Sequence, residues 1–316
     1  MGIVAPGAWI AGMQLPIQSL SRAIADPWEE TANVADLVAV AQRAEAAGLA
    51  FVGVCDHVAI PRGDVADRMG TTWFDTVATL GFLAAHTTTV RLMSEVWVAA
   101  YRHPLQTASS FGTLDHLSGG RVVLGVGAGH VEGEFDALGV PFAERGALLD
   151  EALAALAGGW DHEFASFAGE RLRYDDAGVG PRPVAGRLPV WIGGSGRRAW
   201  ERVGRFGDGY IPMGNPVAQY AEIRDVVQAS AEAAGRPDAA FDLGFMPAGA
   251  HLTGGPADAF PPGTVFTADA MADQIRAART AGANVMHVRF RGRSLAEYLE
   301  QIDAFAETVV PLVDRP

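Results

Sequence analysis

The sequence predicts an α/β protein, a (β/α)8 TIM barrel, on three observations. Strand-like and helix-like segments alternate from one end of the 316 residues to the other. The strand segments are continuous apolar runs, as parallel strands covered on both faces must be. The alternation persists through eight units with no Pro/Gly-rich linker dividing them. That favours one closed barrel over residues 1–316, against an open doubly wound sheet built from the same unit.

The first strand is expected at Ala8–Leu15, ended by Pro16. A helix follows over about Thr31–Ala47, where Val34, Leu37, Val38, Ala41 and Ala44 recur at i, i+3, i+4 spacing and Gly48 stops it. Phe51–Cys55 reads as the second strand, with a helix over about Thr72–Ala85, and Val90–Trp97 as the third. A helix over about Leu105–Leu117 and the turn Ser118-Gly119-Gly120 lead into the fourth strand, Arg121–Gly127. Pro189–Ile192 is the fifth, closed by Gly193-Gly194-Ser195-Gly196 and a helix to about Phe206. Asp208–Met213 and about Pro216–Ala234 make the sixth unit, and Phe241–Leu252 contains the seventh strand, before a helix at Ala268–Ala281. Val285–Arg289 and about Ser294–Val310 complete the eighth. Two stretches, 129–140 and 253–266, are too long for plain connections. They read as insertion loops on the C-terminal face of the barrel, where lids and binding loops belong.

Composition narrows the functions. A net charge of −13 disfavours nucleic acid and anionic membranes as partners, because both are bound by basic patches. All 24 basic residues are Arg, which excludes lysine Schiff bases, lysine general bases and Walker-type loops. One cysteine, Cys55, leaves neither an intrachain disulfide nor a cysteine-rich metal site. The remaining histidines lack tight ligand spacing, so no metal is expected. Without a basic-then-apolar leader or an apolar run of the roughly 18–20 residues that spans a bilayer, a soluble cytoplasmic protein is expected.

In a parallel barrel the reactive groups stand at the C-terminal ends of the strands. Asp56-His57, after the second strand, is the sharpest pair there. A His can hold or move a proton near neutral pH, and a neighbouring carboxylate can orient it or raise its pKa. The competing reading is an Asp-His pair that caps a loop before Pro61. His86, His103, His116 and His162 fall on or beside helices and read as ordinary structural residues. Gly193-Gly194-Ser195-Gly196 opens a helix, where free N–H groups bind phosphate and glycines allow close approach. Arg197, Arg198, Arg202 and Arg205 follow, the last two reading as a solvated face. Gly125-x-Gly127-x-Gly129 fails the dinucleotide spacing and reads as close approach of backbone to a flat ring. Trp73, Trp97 and Trp191 are candidates for the same cavity's wall.

Several strings resemble the luciferase-like monooxygenase superfamily. They are Ala47-Gly48-Leu49 leading into Val54-x-Asp56-His57, Arg102-His103-Pro104, Thr113–Arg121 with Leu-Ser-Gly-Gly-Arg at its end, Leu124–Gly129, Pro189–Gly194 and Asp208-Gly209-Tyr210. Within it the chain is most similar to the actinobacterial coenzyme F420-dependent oxidoreductases. The resemblance implies a bacterial luciferase-like barrel holding the deazaflavin in its mouth. It implies Asp56 and His57 beside the ring, a non-prolyl cis peptide at Ser94-Glu95 with Val96 behind it, and Gly127, Ala128, Gly129 and His130 along it. Gly193, Gly194, Ser195 and Gly196 would hold the phosphate, with Met213 and Gly214 close by. His130 stands where the sugar-phosphate dehydrogenases of the family carry an acid, and Glu95 is larger than the residue usual at the bulge. A sugar phosphate is therefore not the expected substrate. The function implied is hydride transfer between coenzyme F420 and a small-molecule substrate, with His57 as the catalytic acid or base and Asp56 orienting it or the ring. The alternative is a two-component monooxygenase using reduced FMN and O2, and a third reading is a non-catalytic cofactor carrier. A homodimer through the barrel helices is also implied.

Overall fold

The computed structural model describes residues 2–22, 24–254 and 257–315. Eight strands carry the barrel: β1 (Ile10–Gln14), β2 (Phe51–Val54), β3 (Arg91–Ser94), β4 (Val122–Gly127), β5 (Val190–Gly193), β6 (Gly209–Ile211), β7 (Asp242–Phe245) and β8 (Val285–Val288). All pair in parallel with their sequence neighbours, and β1 with β8 closes the ring, Ile10 opposite Val285. The helices on the outside are α1 (Val34–Ala46), α2 (Thr76–Ala84), α3 (Pro104–Ser118), α4 (Arg145–Gly159), α5 (Arg197–Phe206), α6 (Tyr220–Ala233), α7 (Ala268–Ala281) and α8 (Leu295–Ala304).

Local chemistry sets these boundaries. Asn33 caps α1 by accepting from the Ala35 N–H at 2.8 Å, Thr267 caps α7, and left-handed Gly282 ends it. The expected start of α2 at Thr72 moves to Thr76 because Asp75 is the cap, accepting from the Ala78 N–H. The Leu-Ser-Gly-Gly-Arg string is a structural clamp. The Arg121 guanidinium donates to the Ser118 carbonyl (2.7 Å), the Val90 carbonyl (2.8 Å) and the Ala84 carbonyl (3.0 Å), tying the start of β4 to the end of α2.

Strand side chains alternate between the helix shell and the barrel interior. Phe51, Met93, Val123, Trp191, Ile211 and Val285 form an apolar inner layer, with Ile3 and Val4 packed on it. The Asp242 carboxylate holds that plug by accepting the Ile3 N–H at 2.7 Å and the Val4 N–H at 3.2 Å.

Three expectations change. The third strand does not run to Trp97: it breaks after Ser94, and Trp97–Val98 pairs separately with β4. The cis peptide is Glu95–Val96, one residue later than Ser94-Glu95. The 129–140 stretch is not an open loop, since Glu132–Leu138 is helical. The larger elaboration is an exposed antiparallel hairpin, Phe164–Ala168 with Arg173–Gly178, between α4 and β5. Of the expected 253–266 loop, residues 255 and 256 lie outside the described residues. His251 is fully buried beside it, with Nε2 2.7 Å from the Gly254 carbonyl and its ring stacked on Phe260 at 4.3 Å. It pins this segment.

Candidate active site

His57 stands where the chain leaves β2, at the mouth. Its Nδ1 lies 2.9 Å from Oε2 of Glu134, a residue of the short helix Glu132–Leu138. Glu134 is completely buried and also accepts from the Tyr101 hydroxyl (2.9 Å) and from the N–H groups of Ala59 (3.0 Å) and Val58. Burial alone would raise its pKa, but the His57 bond and those two N–H groups outweigh burial and hold the carboxyl below its ordinary range. An ionised carboxylate only accepts, so Nδ1 of His57 carries the hydrogen and Nε2 faces away from it. The ring of Trp73 packs on His57 at 4.3 Å, and His130 meets it edge-on at 5.7 Å. Desolvation, then the neighbouring His57, push the His130 imidazole below its ordinary range.

Asp56 does not orient His57. Its carboxylate forms a two-pronged pair with Arg102 (2.5 and 2.8 Å) and accepts the Val98 N–H at 2.8 Å. Arg102 in turn lies flat over Trp97, 3.6 Å from the ring centroid. Successive side chains leaving a strand point to opposite sides, so Asp56 turns into this buried clamp as His57 turns to the mouth. The acidic partner that sequence reasoning missed is Glu134. It lies 77 positions from His57 in the chain, inside a stretch that reads as a loop.

The segment after β3 divides its residues between mouth and interior. Ser94 is fully buried and donates to the Gly125 carbonyl at 2.8 Å, so it stitches β3 to β4 and does not reach the mouth. Val96 occupies the space that Cβ atoms on Gly127 and Gly193 would fill, within 2.6 and 2.7 Å. Gly129 packs equally tightly on Phe135 and Val98, while Ala128 is half-buried. Glu95 sends its side chain into the barrel, where Oε1 meets Nδ1 of His287 at 2.7 Å.

On the far side, Gly193-Gly194-Ser195-Gly196 opens α5 as expected. Gly194 has φ +145°, a conformation a side chain would strain. Asn215 donates to the Ser195 carbonyl at 3.0 Å, and the Tyr210 hydroxyl lies 2.7 Å from the Gly194 carbonyl. With its carbonyls turned inward in this way, the loop leaves the N–H groups of Ser195, Gly196, Arg197 and Arg198 without an acceptor among the described residues. Met213 is 59% exposed beside it, followed by Gly214. A groove of about 470 Å³ adjoins the loop, lined by Arg145, Asp150, Arg198 and Arg202 among others. Arg202 does not lie on a solvated face, as its side chain is 12% exposed and bound to Asp150 at 2.7 Å, while Arg198 projects freely. Of the three tryptophans, Trp73 alone borders His57, since Trp97 lies under Arg102 and Trp191 in the inner layer. Among the described residues no group of three His, Cys, Asp or Glu is arranged to hold a metal ion, and no helix is long and apolar enough to cross a membrane.

Fold and site together define a parallel barrel with a histidine held by a buried glutamate and a glycine loop with open N–H groups at opposite sides of one mouth. Residues 13–259 match the family model described as luciferase-like monooxygenase, and the chain belongs to that family. It is 32% identical over 204 residues to an F420-dependent hydroxymycolic acid dehydrogenase of Mycobacterium tuberculosis, covering 63% of this chain and 54% of that protein. It is 34% identical over 136 residues to an FMNH2-dependent dimethylsulfone monooxygenase of Pseudomonas putida, covering 42% of this chain and 38% of that one. The matched part thus spans about half or less of those relatives' length. Among solved structures, an F420-dependent secondary alcohol dehydrogenase in complex with an F420-acetone adduct superposes with a TM-score of 0.77 at 18% identity, over 98% of this chain and 100% of that one.

Proposed function

We propose that this protein is an oxidoreductase that works with coenzyme F420 on a small organic substrate. The observation that carries the reading is the pairing of His57–Glu134 with the open N–H groups of Ser195–Arg198 across the barrel mouth. The residues fit such a cofactor. Four unpaired N–H groups at a helix start suit a phosphate, and the apolar Val96, seated against Gly127 and Gly193, suits the face of a flat ring. The cofactor supplies hydride exchange with the substrate carbon. Everything else falls to the chain.

His57 holds its proton on Nδ1 against Glu134 and presents Nε2 to the reacting oxygen or nitrogen. In one direction Nε2 takes the proton of an alcohol, and in the other the imidazolium returns it. Glu134 fixes the ring's orientation and stabilises the imidazolium. Trp73 covers one side of the imidazole and keeps water from it. The Arg102–Asp56 clamp holds the backbone from which His57 projects. A homodimer packed through the barrel helices belongs to this reading, and light scattering tests it.

His57→Ala is expected to lower turnover by about a hundredfold or more while cofactor affinity stays within a few-fold. Unchanged turnover ends the catalytic role, and a carrier protein becomes the better description. Fluorescence titration with coenzyme F420 and with FMN decides the ring: tight FMN binding without F420 binding makes the chain a flavin monooxygenase.

A further inference from the structure

Directly under the mouth lies a carboxylate–imidazole pair that the proton chemistry above does not use. Glu95 leaves the end of β3 with its N–H bound to the Val54 carbonyl (2.8 Å), level with the rim. Its carboxylate descends to His287 on β8, the two side chains being 8% and 2% exposed. One contact, Oε1 to Nδ1 at 2.7 Å, joins them. Oε2 of Glu95 and Nε2 of His287 are buried with no hydrogen-bond partner among the described residues. The barrel gives up side chains to house them: a Cβ on Gly53 would stand 2.1 Å from Oε2, and one on Gly244 2.8 Å from Nε2. Below, the His287 ring rests on Phe51 at 5.0 Å and Trp191 at 6.1 Å.

A buried pair with two unmet polar atoms is a poor stabiliser, because desolvation offsets its attraction. Its surroundings also leave its charge unscreened. Cys55, which feels the charge of Glu95, stays a neutral thiol, since burial and then that charge push it up to about 12. Arg289, at the end of β8, is the next cation, donating to the Ile24 carbonyl at 3.3 Å.

We propose that Glu95–His287 is an internal charge pair that sets the reduction potential of the ring bound above it. This rests on the cofactor reading of the mouth. When a hydride passes from a donor carbon to the ring, the donor loses two electrons and the ring gains one negative charge. Charges in the barrel below act on that difference through low-dielectric protein. A carboxylate there disfavours the reduced ring and an imidazole donor favours it. In the intact pair the hydrogen bond between them lets each temper the field of the other.

The test is an equilibrium titration of the protein-bound ring against a dye couple of known potential, for wild type, E95Q, H287Q and the double variant. Coenzyme F420 is the probe, or FMN where that is the ring bound. E95Q is expected to raise the reduced-to-oxidised ratio at fixed dye poise by about tenfold, and H287Q to lower it by a similar factor. The double variant is expected to lie near wild type. Opposite signs are the mark of charge, since a purely structural pair would shift both single variants the same way through a loosened site. Shifts of one sign, or none beyond twofold, overturn the proposal. If the variants do not fold, the ring nitrogen signals of His287 in the wild-type protein decide. They are expected to move between the oxidised-ring and reduced-ring complexes, and unchanged signals overturn the proposal. Failure of the wild type to bind either ring strikes the cofactor reading itself. Tight binding with unmoved potentials strikes only the pair.

Discussion

The two sides of the barrel mouth are built on opposite principles. On the β2 side the carboxylate beside His57 is fully engaged: Glu134 accepts from His57, Tyr101, Val58 and Ala59 at once. On the β5 side the supporting atoms are engaged but the surface atoms are not. Asn215 holds the Ser195 carbonyl, with the Tyr210 hydroxyl beside it, and the N–H groups of Ser195 and Gly196 remain open. A satisfied network holds one geometry for a proton, whereas an unsatisfied cradle waits for a charge brought by the ligand. Damage on the first side should therefore cost stability and turnover together, and damage on the second should cost affinity.

The largest effect is expected from Glu134→Ala. It strands two backbone N–H groups, a tyrosine hydroxyl and the His57 ring in a buried place. A loss of about 2–4 kcal/mol in stability is expected from orphaned donors of this kind, with turnover falling about a hundredfold. Urea unfolding and steady-state rates measure both, and a variant as stable as the parent would break the contrast between the two sides.

Glu134→Gln sharpens the same side through pH. The Glu134 pKa is depressed on folding, so its contribution is complete above the unfolded value of about 4.5 and is lost as pH falls through the lower folded value. The wild type is expected to lose stability more steeply than Glu134→Gln as pH falls below about 4.5. Parallel melting curves would show that the carboxylate is not carrying that bond network.

The difference between the sides also governs what the sequence could reveal. The open N–H groups are local: four consecutive residues and the helix after them supply every one, so that part is legible. The histidine network is not. Adjacency pointed to Asp56 as the partner of His57, but strand geometry sends neighbours apart, and the carboxylate that arrives comes from a helix in a different βα connection. The barrel was legible because its period repeats eight times. The hairpin at Phe164–Gly178 was not, since its exposed, mixed residues carry no apolar alternation. The break in the third strand was not legible because Val90–Trp97 reads as one unbroken run, and the resemblance puts the cis peptide one residue early.

On the loop side, Asn215→Ala removes the donor to the Ser195 carbonyl and the acceptor for Tyr210. A loosened cradle is expected to weaken cofactor binding about tenfold, the worth of roughly one net hydrogen bond, with turnover at saturation unchanged within twofold. A fall in turnover at full occupancy would mean that the two sides are coupled more tightly than their separate networks imply.

The smallest effect separates two arginines on one helix. Arg198 is exposed, has no side-chain partner among the described residues, and stands on the groove beside the loop. Arg202, four positions on, is spent on Asp150 at 2.7 Å and on the Gly146 carbonyl at 3.2 Å. Arg198→Ala is expected to weaken binding of an anionic cofactor tail by about two- to fivefold at low salt, an exposed charge being worth no more than about 1 kcal/mol. The loss should vanish near 1 M salt, where the screening length shrinks to about 3 Å. Arg202→Ala is expected to lower the melting temperature and leave affinity alone, because its charge is already bound between α4 and α5. If the two variants exchange these behaviours, the groove binds its anion further from the loop, on the face that Arg202 and Asp150 now close.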